Sequence, residues 1–194
     1  MEPAVGDRVL TVPNALSALR LVLIGVFLYL LARGADGAAA AVLMVSGVTD
    51  WADGKIARLL DQSSKLGALL DPAVDRLYMV VVPVAVAWHG LVPWWLIVVL
   101  LARDGLLAAT LPVLRARGLT ALPVTYLGKA ATFALMSAFP LILLGQTEAL
   151  WSRVVLAAGW AFLIWGLYLY LWTFVLYLAQ VRMVVRQLPK GGDG

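Results

Sequence analysis

NALSALRLVLIGVFLYLLARG, residues 14–34, is apolar almost throughout, with Arg20 its only charge before Arg33 at the end. About 20 such residues, wound as a helix, cross the roughly 30 Å of hydrocarbon in a bilayer. Similar stretches follow at about 38–60, 64–88, 93–114 and 126–145, and a longer one runs from near Ala149 to about Arg186. The runs are continuous rather than alternating in ten-residue segments, so the backbone must satisfy its own polar groups as helices and not as a barrel. The chain is 63% hydrophobic and only 13% charged, against about 45–50% apolar in soluble domains. These features predict an all-α integral membrane protein with six transmembrane helices.

Residues 1–13, with Pro3, Gly6 and Pro13, read as a cytoplasmic or interfacial lead, 14–187 as one six-helix domain, and 188–194 as a flexible tail. The start MEPAVGDRVLTVPN lacks the basic region, short apolar core and cleavage site of a signal peptide, so the first span is expected to be retained. With no cysteine, disulfides and thiolate metal sites are excluded. Arg8, Lys55, Arg58, Lys65, Arg115, Arg117, Lys129, Arg182, Arg186 and Lys190 fall on one side of this layout, Arg33 and Arg153 on the other. Basic residues stay on the cytoplasmic side, which places both termini there, in what is expected to be a bacterial cytoplasmic membrane. The net charge of +4 is then a topology signal and no argument for nucleic-acid binding.

Between the second and third runs lies DWADGKIARLLDQSSKLGALLDPAVD, residues 50–75. Ionisable groups at membrane depth are costly unless paired, hydrated or bound to ions, so this cluster marks a site. Asp50, Asp53, Gly54 and Ala57 share one helical face, and Gly67, Asp71 and Asp75 share a face of the next helix. The short link around Asp61-Gln62-Ser63-Ser64 predicts antiparallel neighbours, with Asp50 level with Asp75 and Asp53 level with Asp71. Four converging carboxylates would repel unless cations stood between them. Two divalent ions balance them, and an all-oxygen donor set without His or Cys favours Mg²⁺ or Mn²⁺. Such two-metal sites serve displacement at phosphorus. A purely structural reading pairs the aspartates with Lys55, Arg58, Lys65 and Arg76, and the small residues also permit close helix packing.

The pattern Asp50-x-x-Asp53-Gly54-x-x-Ala57-Arg58, eight further residues, then Gly67-x-x-x-Asp71-x-x-x-Asp75 resembles the signature of the CDP-alcohol phosphotransferases. The resemblance implies a six-helix membrane enzyme, usually a homodimer, that transfers a phosphatidyl group from CDP-diacylglycerol to an alcohol and releases CMP. It implies that Asp50, Asp53, Asp71 and Asp75 hold two divalent metals and that Asp75 is also the general base. Asp53, Gly54, Ala57, Arg58 and Gly67 would bind the nucleotide and pyrophosphate.

The lead-in Val12-Pro13-Asn14-Ala15-Leu16-Ser17-x-x-Arg20, together with Leu70-Asp71-Pro72 and Gly128-Lys129-x-x-Thr132, is similar to members with glycerol-type acceptors. Members using glycerol 3-phosphate typically show Arg-Glu in the fourth span, an arginine about two turns later, and a second lysine in the fifth. Here the residues are Arg103-Asp104 and Ala131, and no arginine follows until Arg115. A phosphate dianion calls for several cationic donors, so phosphatidylglycerol is the expected acceptor, giving cardiolipin, with glycerol 3-phosphate the alternative.

Arg103, Lys129 and Arg20 are the candidates for the acceptor side. Each also has a structural reading: Arg103 could pair with Asp104 or another helix, while Lys129 and Arg20 could snorkel to the interface. The aromatic residues of the last span, Tyr170 among them, are assigned to dimer packing or lipid contact, and His89 to the opposite interface. A divalent-cation transporter is the rival from another class, but it should carry acidic residues along the whole route across the membrane.

Overall fold

The computed structural model describes residues 12–60, 65–115 and 126–187, with side chains described except at 12–14, 16, 50–72, 113 and 187. Among the described residues there are six helices: α1 (Val12–Ala32), α2 (Asp36–Leu60), α3 (Lys65–Trp88), α4 (Trp94–Arg115), α5 (Tyr126–Leu144) and α6 (Ser152–Gln187). Each coincides closely with an apolar run of the sequence. α1 begins two residues earlier than its run, because Pro13 fits a first helical turn, where its missing N–H forfeits no intrahelical bond. The expected lead lies almost entirely, and the expected tail wholly, outside the described residues.

Three helical segments, Trp94–Pro112, Tyr126–Leu144 and Ser152–Arg186, are long and apolar enough to cross a membrane, and Ser17–Ala32 and Asp36–Thr49 are shorter apolar stretches. Large apolar side chains such as Val22, Val48, Phe133, Ile164 and Trp165 face outward, a surface that suits lipid and not water. Trp88 and Trp94 meet edge to face at 6.1 Å beside the α3–α4 turn, as expected of an interfacial belt. The chain is a membrane protein.

Two turns are closed by glycine. Gly34 and Gly90 have φ of 69° and 73°, a left-handed conformation that costs glycine little. In each case the following amide reaches back past the helix end, Ala35 to the Leu30 carbonyl and Leu91 to the Val86 carbonyl, which satisfies carbonyls the helix leaves open.

The helices pack as a closed ring in the order α1, α2, α5, α6, α4, α3, and a further contact between α3 and α5 divides it into two four-helix compartments. α1, α2, α3 and α5 enclose one; α3, α4, α5 and α6 enclose the other. Over the described residues α2 and α3 each pack on α1 and stand across the first compartment from one another, while the level at which the short link predicts their pairing, residues 50–72, lies outside the described side chains.

The wall between α5 and α6 is the tightest. A Cβ on Gly159 would lie 2.8 Å from the Ile142 amide nitrogen, and one on Gly145 2.6 Å from the Leu156 Cβ, so the backbones approach as small residues allow within membranes. Gly159→Val is therefore expected to destabilise the protein by about 1–3 kcal/mol, read as a lower melting temperature in detergent. Gly25→Ala is the control, since a Cβ there meets nothing within 4 Å. Its melting temperature should stay level or rise, because alanine is the better helix former.

Candidate active site

The first compartment holds a cavity of about 240 Å³ lined by Arg20 of α1, Ser46 and Gly47 of α2, Asp75, Tyr78 and Met79 of α3, and Thr132 and Met136 of α5. Its polar feature is an ion pair in which Arg20 Nη1 donates to Asp75 Oδ1. Arg20 is only 5% exposed, so the snorkelling reading is overturned. The side chain turns inward because an apolar bundle offers a guanidinium no better partner than a carboxylate on the next helix. The pair ties α1 to α3 and presents Asp75 at the cavity wall.

Helical register extends this site beyond the described side chains. Asp50 follows Ser46 by four residues and Gly47 by three, and Asp71 precedes Asp75 by four. Both lie one turn further along the helix faces that line the cavity. Asp53, Gly54 and Ala57 continue the α2 face, and Gly67 continues that of α3. The side chains of Asp50, Asp53, Gly54, Ala57, Arg58, Gly67 and Asp71 lie outside the described residues. Among the described residues no three acidic or histidine side chains come together. What the described part does contain is Asp75, its carboxylate paired with Arg20 at the cavity wall; with Asp50, Asp53 and Asp71 it would make an all-oxygen donor set. That chemistry fits hard divalent ions such as Mg²⁺ or Mn²⁺.

The other acceptor-side candidates sit apart from this cavity. Lys129 is exposed, its ammonium 5.6 Å from the centre of the Tyr126 ring. Arg103 belongs to the second compartment. Its Nη1 donates to Asp104 at 3.0 Å, its Nη2 to Thr173 Oγ1 at 3.4 Å, and its guanidinium carbon lies 3.9 Å from the Tyr170 ring centre. The Tyr170 hydroxyl donates to the same Asp104 oxygen. Both structural readings of Arg103 therefore hold at once: it pairs with its neighbour and with another helix.

Assigning Tyr170 to lipid or dimer contact is corrected too, because it is 6% exposed and holds α6 to α4. Trp165, Tyr168 and Trp172 on the same helix do face outward. Sequence reasoning thus missed Asp104, Tyr170 and Thr173 as a joint cluster. The available signal was the spacing of Tyr170 and Thr173, three residues apart on one face of α6. Tyr78, Met79 and Met136 line both this compartment's small cavity and the larger one, so the two clusters share a wall.

The described residues form a helical membrane bundle with one carboxylate, Asp75, at the wall of a cavity between its helices. The chain belongs to the CDP-alcohol phosphatidyltransferase family, whose model residues 10–165 match. It is 66% identical over 192 residues, covering 98% of this chain and 92% of the relative, to a protein of Mycobacterium tuberculosis provisionally named a cardiolipin synthase. It is 48% identical over 186 residues, 93% of this chain and 86% of the relative, to the cardiolipin synthase (CMP-forming) of Streptomyces coelicolor. The CDP-diacylglycerol–glycerol-3-phosphate 3-phosphatidyltransferase of Escherichia coli is 32% identical over 178 residues, 88% of this chain and 94% of the relative.

Proposed function

We propose that this enzyme transfers the phosphatidyl group of CDP-diacylglycerol to a free hydroxyl of phosphatidylglycerol, giving cardiolipin and CMP. The observation that carries the reading is Asp75, held by Arg20 at the wall of a cavity that lies one to two helical turns along the chain from the remaining carboxylate positions. Identity supports the acceptor: the two relatives named cardiolipin synthases stand at 66% and 48%, the one named for glycerol 3-phosphate at 32%.

In this reading Asp75 accepts the proton of the acceptor hydroxyl, and the oxygen so activated forms a bond to the phosphorus of the phosphatidyl group. The bond from that phosphorus to the oxygen of CMP breaks, and the electron pair leaves with CMP. Asp50, Asp53, Asp71 and Asp75 would hold two Mg²⁺ or Mn²⁺ ions, which when bound supply positive charge to the pyrophosphate. Arg58, with Asp53, Gly54, Ala57 and Gly67, would seat the nucleotide and pyrophosphate. Arg20 keeps Asp75 directed at the cavity, and Arg103 and Lys129 would serve the acceptor's phosphate. The proposal places six spans in a bacterial cytoplasmic membrane, with the site and both termini on the cytoplasmic side and two copies in a homodimer.

The test is purified protein with CDP-diacylglycerol and Mg²⁺ or Mn²⁺, offered phosphatidylglycerol and glycerol 3-phosphate separately. CMP release with phosphatidylglycerol alone is expected; release with glycerol 3-phosphate alone would move the protein to the alternative acceptor, and none with either would sink the reading. The cavity itself is testable at Gly47, where an added Cβ meets nothing within 4 Å. Gly47→Leu meets no obstacle at its Cβ and should lower turnover by at least about tenfold by filling space the substrate needs, with a melting curve checking the fold. An unchanged rate with a normal melting curve would show that the substrate does not use this cavity.

A further inference from the structure

Hydroxyl groups on apolar helices ordinarily return to their own backbone, since a donor without a partner in a low-dielectric interior is costly. Thr49, Thr110, Thr132, Ser137 and Thr173 do so here, each donating to a carbonyl three or four residues back at 2.7–3.0 Å. Ser46 breaks this pattern. It is 2% exposed and lines the 240 Å³ cavity with Arg20 and Asp75, yet among the described residues its Oγ has no hydrogen-bond partner.

Its position says what is missing. Ser46 lies four residues from Asp50 toward the middle of α2, about 6 Å along the axis at 1.5 Å per residue. Tyr78 and Met79 likewise lie three and four residues beyond Asp75, and they line the cavity with Met136. The cavity therefore grades from charged at the carboxylate end to apolar further in, with one unused hydroxyl at the join. A diacyl glycerolipid grades in the same sense: anionic phosphate, then glycerol-ester carbonyls a short arm away, then hydrocarbon. The ester carbonyl is an acceptor with no donor of its own, and it falls at the level where this chain holds a buried donor without an acceptor.

We propose that Ser46 donates a hydrogen bond to a glycerol-ester carbonyl of a diacyl lipid substrate, and so sets the depth at which the lipid's phosphate meets Asp75. The proposal rests on the phosphatidyl-transfer reading for its class of ligand, and it adds a determinant inside the hydrophobic part of the site. Gly47 provides the way in: it is exposed and its Cβ position opens on empty space, so the cavity is not walled off beside Ser46.

Ether analogues test this, because replacing each ester carbonyl by methylene removes the acceptor and leaves the chain length alone. Binding of CDP-diacylglycerol and CDP-dialkylglycerol is measured by the shift in melting temperature on titration, and turnover is measured with diacyl and dialkyl phosphatidylglycerol. The wild type should favour the ester by roughly five- to tenfold in one of the two series, as one hydrogen bond confers. Ser46→Ala should abolish that preference, and Ser46→Thr, which keeps the hydroxyl, should retain it.

Loss of ester preference in the donor series assigns the carbonyl to CDP-diacylglycerol, and loss in the acceptor series assigns it to phosphatidylglycerol; either supports the proposal. An ester preference in neither series, or one that Ser46→Ala leaves intact, overturns it, as it would if water alone occupied the hydroxyl. Failure of the wild type to release CMP from CDP-diacylglycerol would overturn the phosphatidyl-transfer reading instead, while the binding arm still decides on Ser46. Ser46→Ala removes a group that bonds to nothing described, so its unliganded melting temperature should not fall.

Discussion

Asp75→Asn is expected to lower turnover by about 10³-fold, within the range general-base catalysis contributes, while leaving CDP-diacylglycerol binding within a few-fold. The asparagine keeps the shape of the side chain and can still accept a hydrogen bond from Arg20, so the α1–α3 tie is weakened but not removed. What it cannot do is take a proton from the acceptor hydroxyl. The measurement is CMP release under saturating lipid, set beside a melting curve and a donor-binding titration. Turnover within tenfold of wild type would remove Asp75 from the role of base. A collapse of both binding and melting temperature would show that the pair with Arg20 is chiefly structural.

The positions of the helices were legible because lipid imposes one simple demand, a continuous apolar run of sufficient length, and each run in the sequence became a helix with ends within about three residues. Their arrangement was less so. A short link between two spans favours direct packing of the pair beside the link, and that level, residues 50–72, lies outside the described side chains; further along, α2 and α3 each pack on α1 with a cavity between them. Nothing local to residues 50–75 announces that an arginine from another helix stands at the cavity. Arg20 was visible as a charge, and its inward direction was not, because snorkelling and pairing leave the same trace in sequence.

Tyr170 was hidden for a different reason. On a helix that exposes Trp165, Tyr168 and Trp172 to lipid, one more aromatic carries no distinguishing mark until its partners Arg103 and Asp104 are brought beside it. Ser46 was silent because a serine in a spanning helix usually bonds to its own backbone. Of the carboxylate series that the spacing singles out, Asp75 alone has a described side chain, and it lies at the cavity wall; Asp50, Asp53 and Asp71 lie outside the described side chains.

The second large effect is expected at Asp104. Its carboxylate receives both Arg103 Nη1 and the Tyr170 hydroxyl, so Asp104→Ala strips a mostly buried guanidinium of its anion and frees a phenol at one stroke. Arg103 has a buried Nε with no partner among the described residues, and only Thr173 and the Tyr170 ring would remain to it. The Asp104 side chain is 44% exposed and that of Arg103 14%, so the loss is that of a partly buried pair, about 1–3 kcal/mol, and Asp104→Ala should lower the melting temperature in detergent about as much as Gly159→Val does. Tyr170→Phe removes only the hydroxyl and should cost about 1 kcal/mol, that of one hydrogen bond.

The informative comparison is the double variant Arg103→Met with Asp104→Leu. Exchanging an interior ion pair for apolar side chains of similar volume is often neutral or stabilising, so the double variant should recover most of the stability that Asp104→Ala loses. With the fold restored, activity isolates what Arg103 does for the substrate. If Arg103 holds the acceptor's phosphate, KM for phosphatidylglycerol should rise at least about tenfold, while donor binding stays unchanged, as for the loss of one charge-assisted contact. A double variant that is both stable and fully active would show instead that Arg103 and Asp104 serve only to hold α4 against α6.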